Sequence, residues 1–147
     1  MGARTGEQVC QRQGKLLGKL IKGLLEYAEQ LFKFEQPVGE GTGAAPLSAH
    51  YRQAAKQLGL PVDTWQPKGV VPVLLQFAWE LFLDLSATRT GTGFGPNPIT
   101  YEAMLAWCAL YGERLTPLEI GVVRKLDSVW LKVQHARHSG TKPNHTK

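Results

Sequence analysis

The stretch Trp79-Glu-Leu-Phe-Leu-Asp-Leu-Ser-Ala-Thr-Arg89, followed by a Gly-rich loop to Gly95 and by Pro98-Ile-Thr-Tyr-Glu-Ala-Met-Leu-Ala-Trp107, decides the fold. Between Val73 and Leu85 only Gln76, Glu80 and Asp84 are polar. They recur every four residues, so on a helix they form one narrow stripe and leave every other side apolar. A helix of that kind is a central core element or half of an interface. Pro72 suits its first turn, and the pattern continues to about Ala87. The loop from Thr88 to Pro98 holds Gly91, Gly93 and Gly95. It lacks the Gly-Lys-Ser/Thr ending and the preceding strand of a phosphate-binding loop, so its glycines are expected to serve a turn. Arg89, at the end of the preceding helix, is expected to meet that helix's carbonyls or a carboxylate.

Working towards the C-terminus, Thr100 is an N-cap and Glu102 an acid in the first turn of the next helix. Tyr101, Met104, Leu105, Cys108 and Tyr111 form a stripe at helical spacing that should face inward, with Trp107 at its edge and Gly112 as the stop. The last helix has the best start signal in the chain. Leu115, Thr116, Pro117, Glu119 and Ile120 fall in register as staple, N-cap, first-turn proline, capping-box acid and staple partner. Leu118, Val122, Leu126, Val129, Trp130 and Val133 make its apolar face. From residue 135 to 147 the chain is polar and basic and reads as a disordered tail.

Working towards the N-terminus, Ser48 is the expected N-cap of a helix ending near Leu58, with Leu47, Tyr51, Ala54, Ala55 and Leu58 inward and Gly59 past its end. Residues 60–69 read as irregular, with Trp65 pinning them to the core. Residues 37–46 are rich in Gly and Pro and read as a linker. Residues 1–36 form an amphipathic helix, with Thr5 and Gln8 as a capping box. On a wheel of about 100° per residue, Leu16, Leu17, Leu20, Ile21, Leu24, Leu25, Tyr27, Ala28, Leu31 and Phe32 fall on one half. Lys15, Lys19, Lys22, Glu26, Glu29, Gln30 and Lys33 fall on the other. Gly14, Gly18 and Gly23 each weaken that helix by roughly 1 kcal/mol relative to alanine. It could pack on its own domain, dock on another chain or lie on an anionic membrane, and Glu26 and Glu29 argue against the last. The linker favours self-association or partner docking over completion of the core, so removal of residues 1–36 is expected to leave a folded domain.

The expected fold is therefore all-α: a small domain of about four helices over 47–134, preceded by a linked amphipathic helix. A chain of 147 residues with 43% hydrophobic content is long enough for one domain with a sizeable core. Cys10 and Cys108 are far apart and lack metal-ligand spacing, which points to a reducing compartment without a disulfide framework. The net charge of +5 is modest and concentrated towards the ends, so it speaks for solubility before nucleic acid. The sequence has no secretory signal and no apolar run near the roughly 20 residues needed to span a bilayer. No carboxylate pair, metal cluster or catalytic triad stands out, and no cofactor motif.

The blocks Trp79, Phe82, Leu85 and Arg89, then Pro98-Ile-Thr-Tyr101 with Trp107, then Leu115-Thr-Pro-Leu-Glu119 with Leu126-Asp127 stand in the order and spacing of a known family. Over about residues 47–132 the chain resembles the phage tail assembly chaperones. That resemblance implies a non-enzymatic protein of the host cell cytoplasm. Its implied partner is the phage tape measure protein, which it shields before the tail tube forms, with the major tail tube protein as a further partner. Neither nucleic acid nor a membrane is an expected partner. Leu20, Leu24, Leu31, Trp79, Phe82, Trp107 and Trp130 are the candidate partner-binding residues, with Trp79 and Phe82 foremost. The string from Leu115 to Leu126 also resembles the opening of a LuxR-type helix-turn-helix, which makes a DNA-binding or regulatory module the alternative. That family continues with a turn and a recognition helix, whereas this helix is expected to run on through Trp130.

Overall fold

The computed structural model describes residues 6–37, 45–61, 66–92 and 95–140. Five α-helices account for most of them: α1 (Gly6–Phe34), α2 (Leu47–Gln57), α3 (Gln76–Ala87), α4 (Tyr101–Tyr111) and α5 (Pro117–Gly140). A single 3₁₀ turn, Val73–Leu75, leads into α3. The expectation of no sheet gives way to a small one. β1 (Gly91–Thr92) pairs antiparallel with β2 (Gly95–Pro96) inside the Gly-rich loop, and Gly95 adopts φ +140°. The fold class is all-α, as the helical periodicities indicate.

Three helices build the core. α3 supplies Ala78, Trp79, Leu81, Phe82 and Leu85; α5 supplies Val122, Val123, Leu126 and Val133; α1 supplies Leu24, Ala28 and Phe32. The aromatic centre is dense. The Phe32 ring stacks on Trp79 at 6.0 Å and lies 5.6 Å from Phe82, while Tyr27 meets Trp79 edge-on at 5.9 Å. Packing of this kind contributes beyond the buried area alone.

The expectation that residues 1–36 stand apart from the core is thus corrected. Leu24 and Ala28 are wholly inaccessible to solvent. Gln36 Nε2 also donates to the Val133 carbonyl at 2.8 Å, across 97 residues of sequence. The Gly- and Pro-rich segment misled because composition reports flexibility, not whether the ends are held. They are held: Leu47 N–H donates to Gln36 O at 2.9 Å, and Pro37 and Pro46 form an isolated bridge. Residues 38–44, Trp65 and the Thr5 cap lie outside the described residues.

Local signals fare unevenly. The α5 capping box is formed as expected. Glu119 N–H donates to Thr116 Oγ1 at 3.3 Å, and Thr116 N–H to Glu119 Oε2 at 2.6 Å. Thr100 Oγ1 accepts from Ala103 N–H at the start of α4. α2 ends in a Schellman arrangement, with Gly59 at φ +66° and Leu60 N–H bonded to Ala55 O. Ser48 is not a cap. α2 begins one residue earlier after Pro46, and the buried Ser48 hydroxyl donates to Glu35 Oε2 at 3.2 Å, tying α2 to the end of α1. α5 continues to Gly140, so the segment expected to be a tail from 135 begins as helix. Residues 141–147 lie outside the described residues.

The α1 glycines yield a first prediction. A Cβ at Gly14, Gly18 or Gly23 meets no atom within 4 Å, and none of the three has positive φ. Each Gly→Ala change should stabilise the fold by ~0.5–1 kcal/mol, through helix propensity and a stiffer unfolded chain. Gly112→Ala, at φ +69°, should instead destabilise by ~1–2 kcal/mol. Thermal or urea melts of the four variants check the contrast in sign.

Candidate protein-docking surface

α4 carries eleven residues and one charge, Glu102. Only Met104 is buried. Leu110 is 84% exposed, Leu105 69%, Tyr111 61% and Tyr101 55%. Isolated exposed leucines are ordinary, but one helix presenting four large apolar side chains to water is a candidate docking surface.

The inward stripe expected for α4 is a real stripe on a different boundary. Tyr101, Met104, Leu105 and Cys108 line an open apolar groove of about 470 Å³, closed on its far side by Leu115 and Ile120 and flanked by Glu113 and Arg114. Helical spacing identified the residues that share a face. It did not reveal that α5 leaves that face half uncovered. Arg124 on α5 holds its guanidinium 4.8 Å from the Tyr101 ring centroid, a cation–π contact that fixes the groove wall.

On its other flank α4 meets the start of α3. Trp107 stacks on Tyr111 at 4.5 Å, meets Phe77 edge-on at 6.0 Å and donates from Nε1 to Asp84 Oδ2 at 2.7 Å. Beyond Phe77, Val73 is 92% exposed and Leu74 66%. The apolar surface therefore runs from the groove across α4 to the first turns of α3. At the N-terminal end of α4 the Glu102 carboxyl is held below the usual carboxylate range by its own backbone N–H and by the Thr100 hydroxyl. It stays charged at neutral pH and marks one end of the face.

A buried ion pair sets the position of this surface. The side chains of Arg89 and Asp127 are 5% and 4% exposed, with Nη1 and Oδ1 2.6 Å apart. This contact is one of charge rather than aligned hydrogen-bond geometry. Arg89 Nε has no hydrogen-bond partner among the described residues, but other atoms of the pair bond to neighbouring elements. Asp127 Oδ2 accepts from Ile99 N–H at 3.1 Å, just before α4, while Arg89 donates to Asn97 O at 2.8 Å and Ser86 Oγ at 3.1 Å. The Arg89 guanidinium lies 4.1 Å from the Trp130 ring centroid. One arginine thus joins the end of α3, the Gly-rich loop, the approach to α4 and the middle of α5. The carboxylate expected for Arg89 is Asp127.

The seven candidate partner-binding residues separate into three groups. Leu24, Trp79 and Phe82 are buried in the single chain, where they hold α1, α3 and α5 together. Leu20 and Leu31 pack half-buried against the same core, and Trp130 is covered by Arg89. Trp107 alone borders the exposed surface. Tyr101, Leu105, Leu110 and Tyr111 had no place among the candidates. The signal that could have found them is α4 itself, a helix apolar on all sides in a chain with too few helices to cover it. Cys108 carries a free thiol against the groove.

Among the described residues no group of His, Cys, Asp or Glu could hold a metal ion, and no helix is long and apolar enough to cross a membrane. α5 runs unbroken from Pro117 to Gly140, so the turn and recognition helix of a LuxR-type module do not follow Leu126 within it. No curated protein and no solved structure gives a match. A family model described as phage tail assembly chaperone matches residues 59–132, which span α3, the Gly-rich loop, α4, the groove and most of α5. The chain belongs to the phage tail assembly chaperone family.

Proposed function

We propose that this chaperone captures a helical segment of the phage tape measure protein in the groove between α4 and the start of α5. The observation that carries the reading is α4, a helix with one charged residue whose large apolar side chains lie open to solvent. A groove of leucine, methionine, tyrosine and isoleucine side chains suits the apolar face of an amphipathic helix, anchored at i, i+3 or i+4 spacing. Capture shields that face until the tail tube encloses it. Recruitment of the major tail tube protein belongs to the same proposal and draws on the apolar surface at the start of α3. No step needs bond chemistry, a nucleotide or a cofactor. The working place of such a protein is the host cell cytoplasm.

Co-expression with the tape measure protein of the same phage tests the reading. The wild-type chain should keep that protein soluble and co-purify with it, and the complex should persist at high salt, because apolar burial is screened far less than surface charge. Leu105→Asp should weaken capture by tenfold or more, roughly 1.4 kcal/mol or above. Leu105 is largely exposed in the free chain, so its melting curve should not move. Undiminished capture by a folded Leu105→Asp variant would sink the assignment of the groove.

A further inference from the structure

Among the described residues two arginines lie over aromatic rings, and they differ in what else they meet. The Arg89 guanidinium, over Trp130, is buried and faces Asp127. Arg124, whose guanidinium stands 4.8 Å from the centre of the Tyr101 ring, is exposed. It makes no ion pair with a carboxylate among the described residues. Contact with a ring face uses charge rather than N–H donors, so the hydrogen-bonding fork of Arg124 is left to water.

Its position follows from helix geometry. Ile120 lines the apolar groove from α5. Arg124, four residues on, stands one turn further along the same face. Tyr101 lines the groove from α4. The cation and the ring beneath it therefore border the groove at the end where α4 begins. We propose that Arg124 reads a carboxylate on the captured helix, an Asp or Glu at the α5-facing edge of that helix's apolar stripe. The inference rests on the groove reading above and names the chemistry of the segment the groove selects.

A guanidinium suits the task. Its planar fork can give a carboxylate two parallel hydrogen bonds. The Tyr101 ring holds the long side chain in place beforehand, which lowers the freedom lost on pairing. The acids around it leave the position open. Asp127, three residues on along α5, is buried against Arg89. Glu119 is bonded to Thr116 at the start of α5. Glu113 flanks the opposite end of the groove, just past α4. Glu102 lies about 100° around α4 from Tyr101, and its carboxyl is engaged by its own backbone N–H and the Thr100 hydroxyl. Glu102 repels an acid that approaches along the α4 edge, whereas Arg124 attracts one at the α5 edge. The two charges together set the side of the partner helix on which the acid must stand. The apolar floor carries the affinity and Arg124 the choice: helices flanked by acid are favoured over those flanked by lysine.

Capture of the co-expressed tape measure protein by the full chain, measured at about 0.1 M and about 1 M salt, tests the assignment. Arg124→Gln should weaken capture roughly three- to fivefold at the lower salt, the range of a partly exposed pair, and should match wild type at the higher. Arg124→Glu should weaken it further, and replacing one acidic residue of the captured segment by lysine should restore it. The melting temperature should stay close to that of wild type in both variants, since Arg124 is exposed. Leu105→Asp provides the comparison, because its loss should persist at both salts. If Leu105→Asp abolishes capture and both Arg124 variants bind like wild type at low salt, the groove stands and the carboxylate assignment is overturned. A loss in Arg124→Gln that is equal at both salts assigns the arginine to packing on Tyr101 and also overturns it. So does an Arg124→Glu variant that no lysine replacement rescues. If Leu105→Asp leaves capture undiminished, the groove reading itself fails and this inference falls with it.

Discussion

Removing residues 1–36 should abolish the cooperative unfolding transition. α1 contributes Leu24, Ala28 and Phe32 to the buried core and packs Leu17, Leu20, Ile21, Leu25, Tyr27 and Leu31 along its border. Full burial of Leu24 and Phe32 alone is worth ~3–6 kcal/mol at ~1.5–3 kcal/mol per side chain. The half-buried residues add to that, while domains of this size have a total stability of only ~5–15 kcal/mol. The truncation also uncovers Trp79, Phe82 and Val133 together, a large apolar surface. A urea titration followed by Trp fluorescence should show a sloping baseline without a sigmoid, and the truncated chain should aggregate. A well-formed transition within 2 kcal/mol of the full chain, by order of magnitude, would show that α3, α4 and α5 suffice and that α1 is an accessory.

Asp127→Ala should cost ~3–5 kcal/mol, because it leaves the Arg89 guanidinium buried without its counter-charge. The loss should appear in thermal and denaturant melts alike. Breaking one member is worse than removing both. The double variant Arg89→Met/Asp127→Leu should recover much of the loss, because buried ion pairs repay their desolvation poorly and apolar replacements of similar volume are tolerated. If Asp127→Ala costs under ~1 kcal/mol, water reaches the pair and the site is not the rigid junction inferred from its burial. The two changes act on different joints. The first removes a wall of the core, and the second removes the clamp that sets α4 against α5.

The sequence carried α4 and α5 with their caps, because capping boxes, first-turn prolines and terminal glycines act through bonds a few residues long; α3 was legible from its apolar run, but Pro72 precedes a 3₁₀ turn and the α-helix starts only at Gln76. Thr116 with Glu119 and Thr100 with Ala103 are local pairs, and local spacing suffices to find them. Arg89 finding a carboxylate could be anticipated in kind from its place at a helix end. Which carboxylate could not, since Asp127 lies on another helix. The burial of the candidate partner-binding residues is set at long range in the same way. Trp79 and Phe82 have the composition of an interface hot spot, yet whether an apolar helix face is open depends on how many other helices reach it. α1 reaches α3, and among the described residues no helix covers the outer face of α4. Sequence periodicity specifies faces, and only the tertiary arrangement decides which of them stay wet.

The hydrogen bond from Gln36 to Val133 has a bearing on the order in which the molecule is made. Its donor and acceptor stand 97 residues apart: Gln36 lies just past the end of α1, the first described helix, and Val133 lies on α5, the last. During synthesis α1 leaves the ribosome long before the α5 surface it covers exists. Its stripe of leucines therefore has no intramolecular home for most of translation, and closing so large a loop is itself slow. The three glycines at open positions of α1 suit that interval, because each lowers the helicity of the isolated segment. A nascent α1 that is only marginally helical does not yet present a continuous apolar stripe to other growing chains. α1 becomes a stable helix when α5 arrives to pack against it, so a helix made later completes the structure of one made earlier.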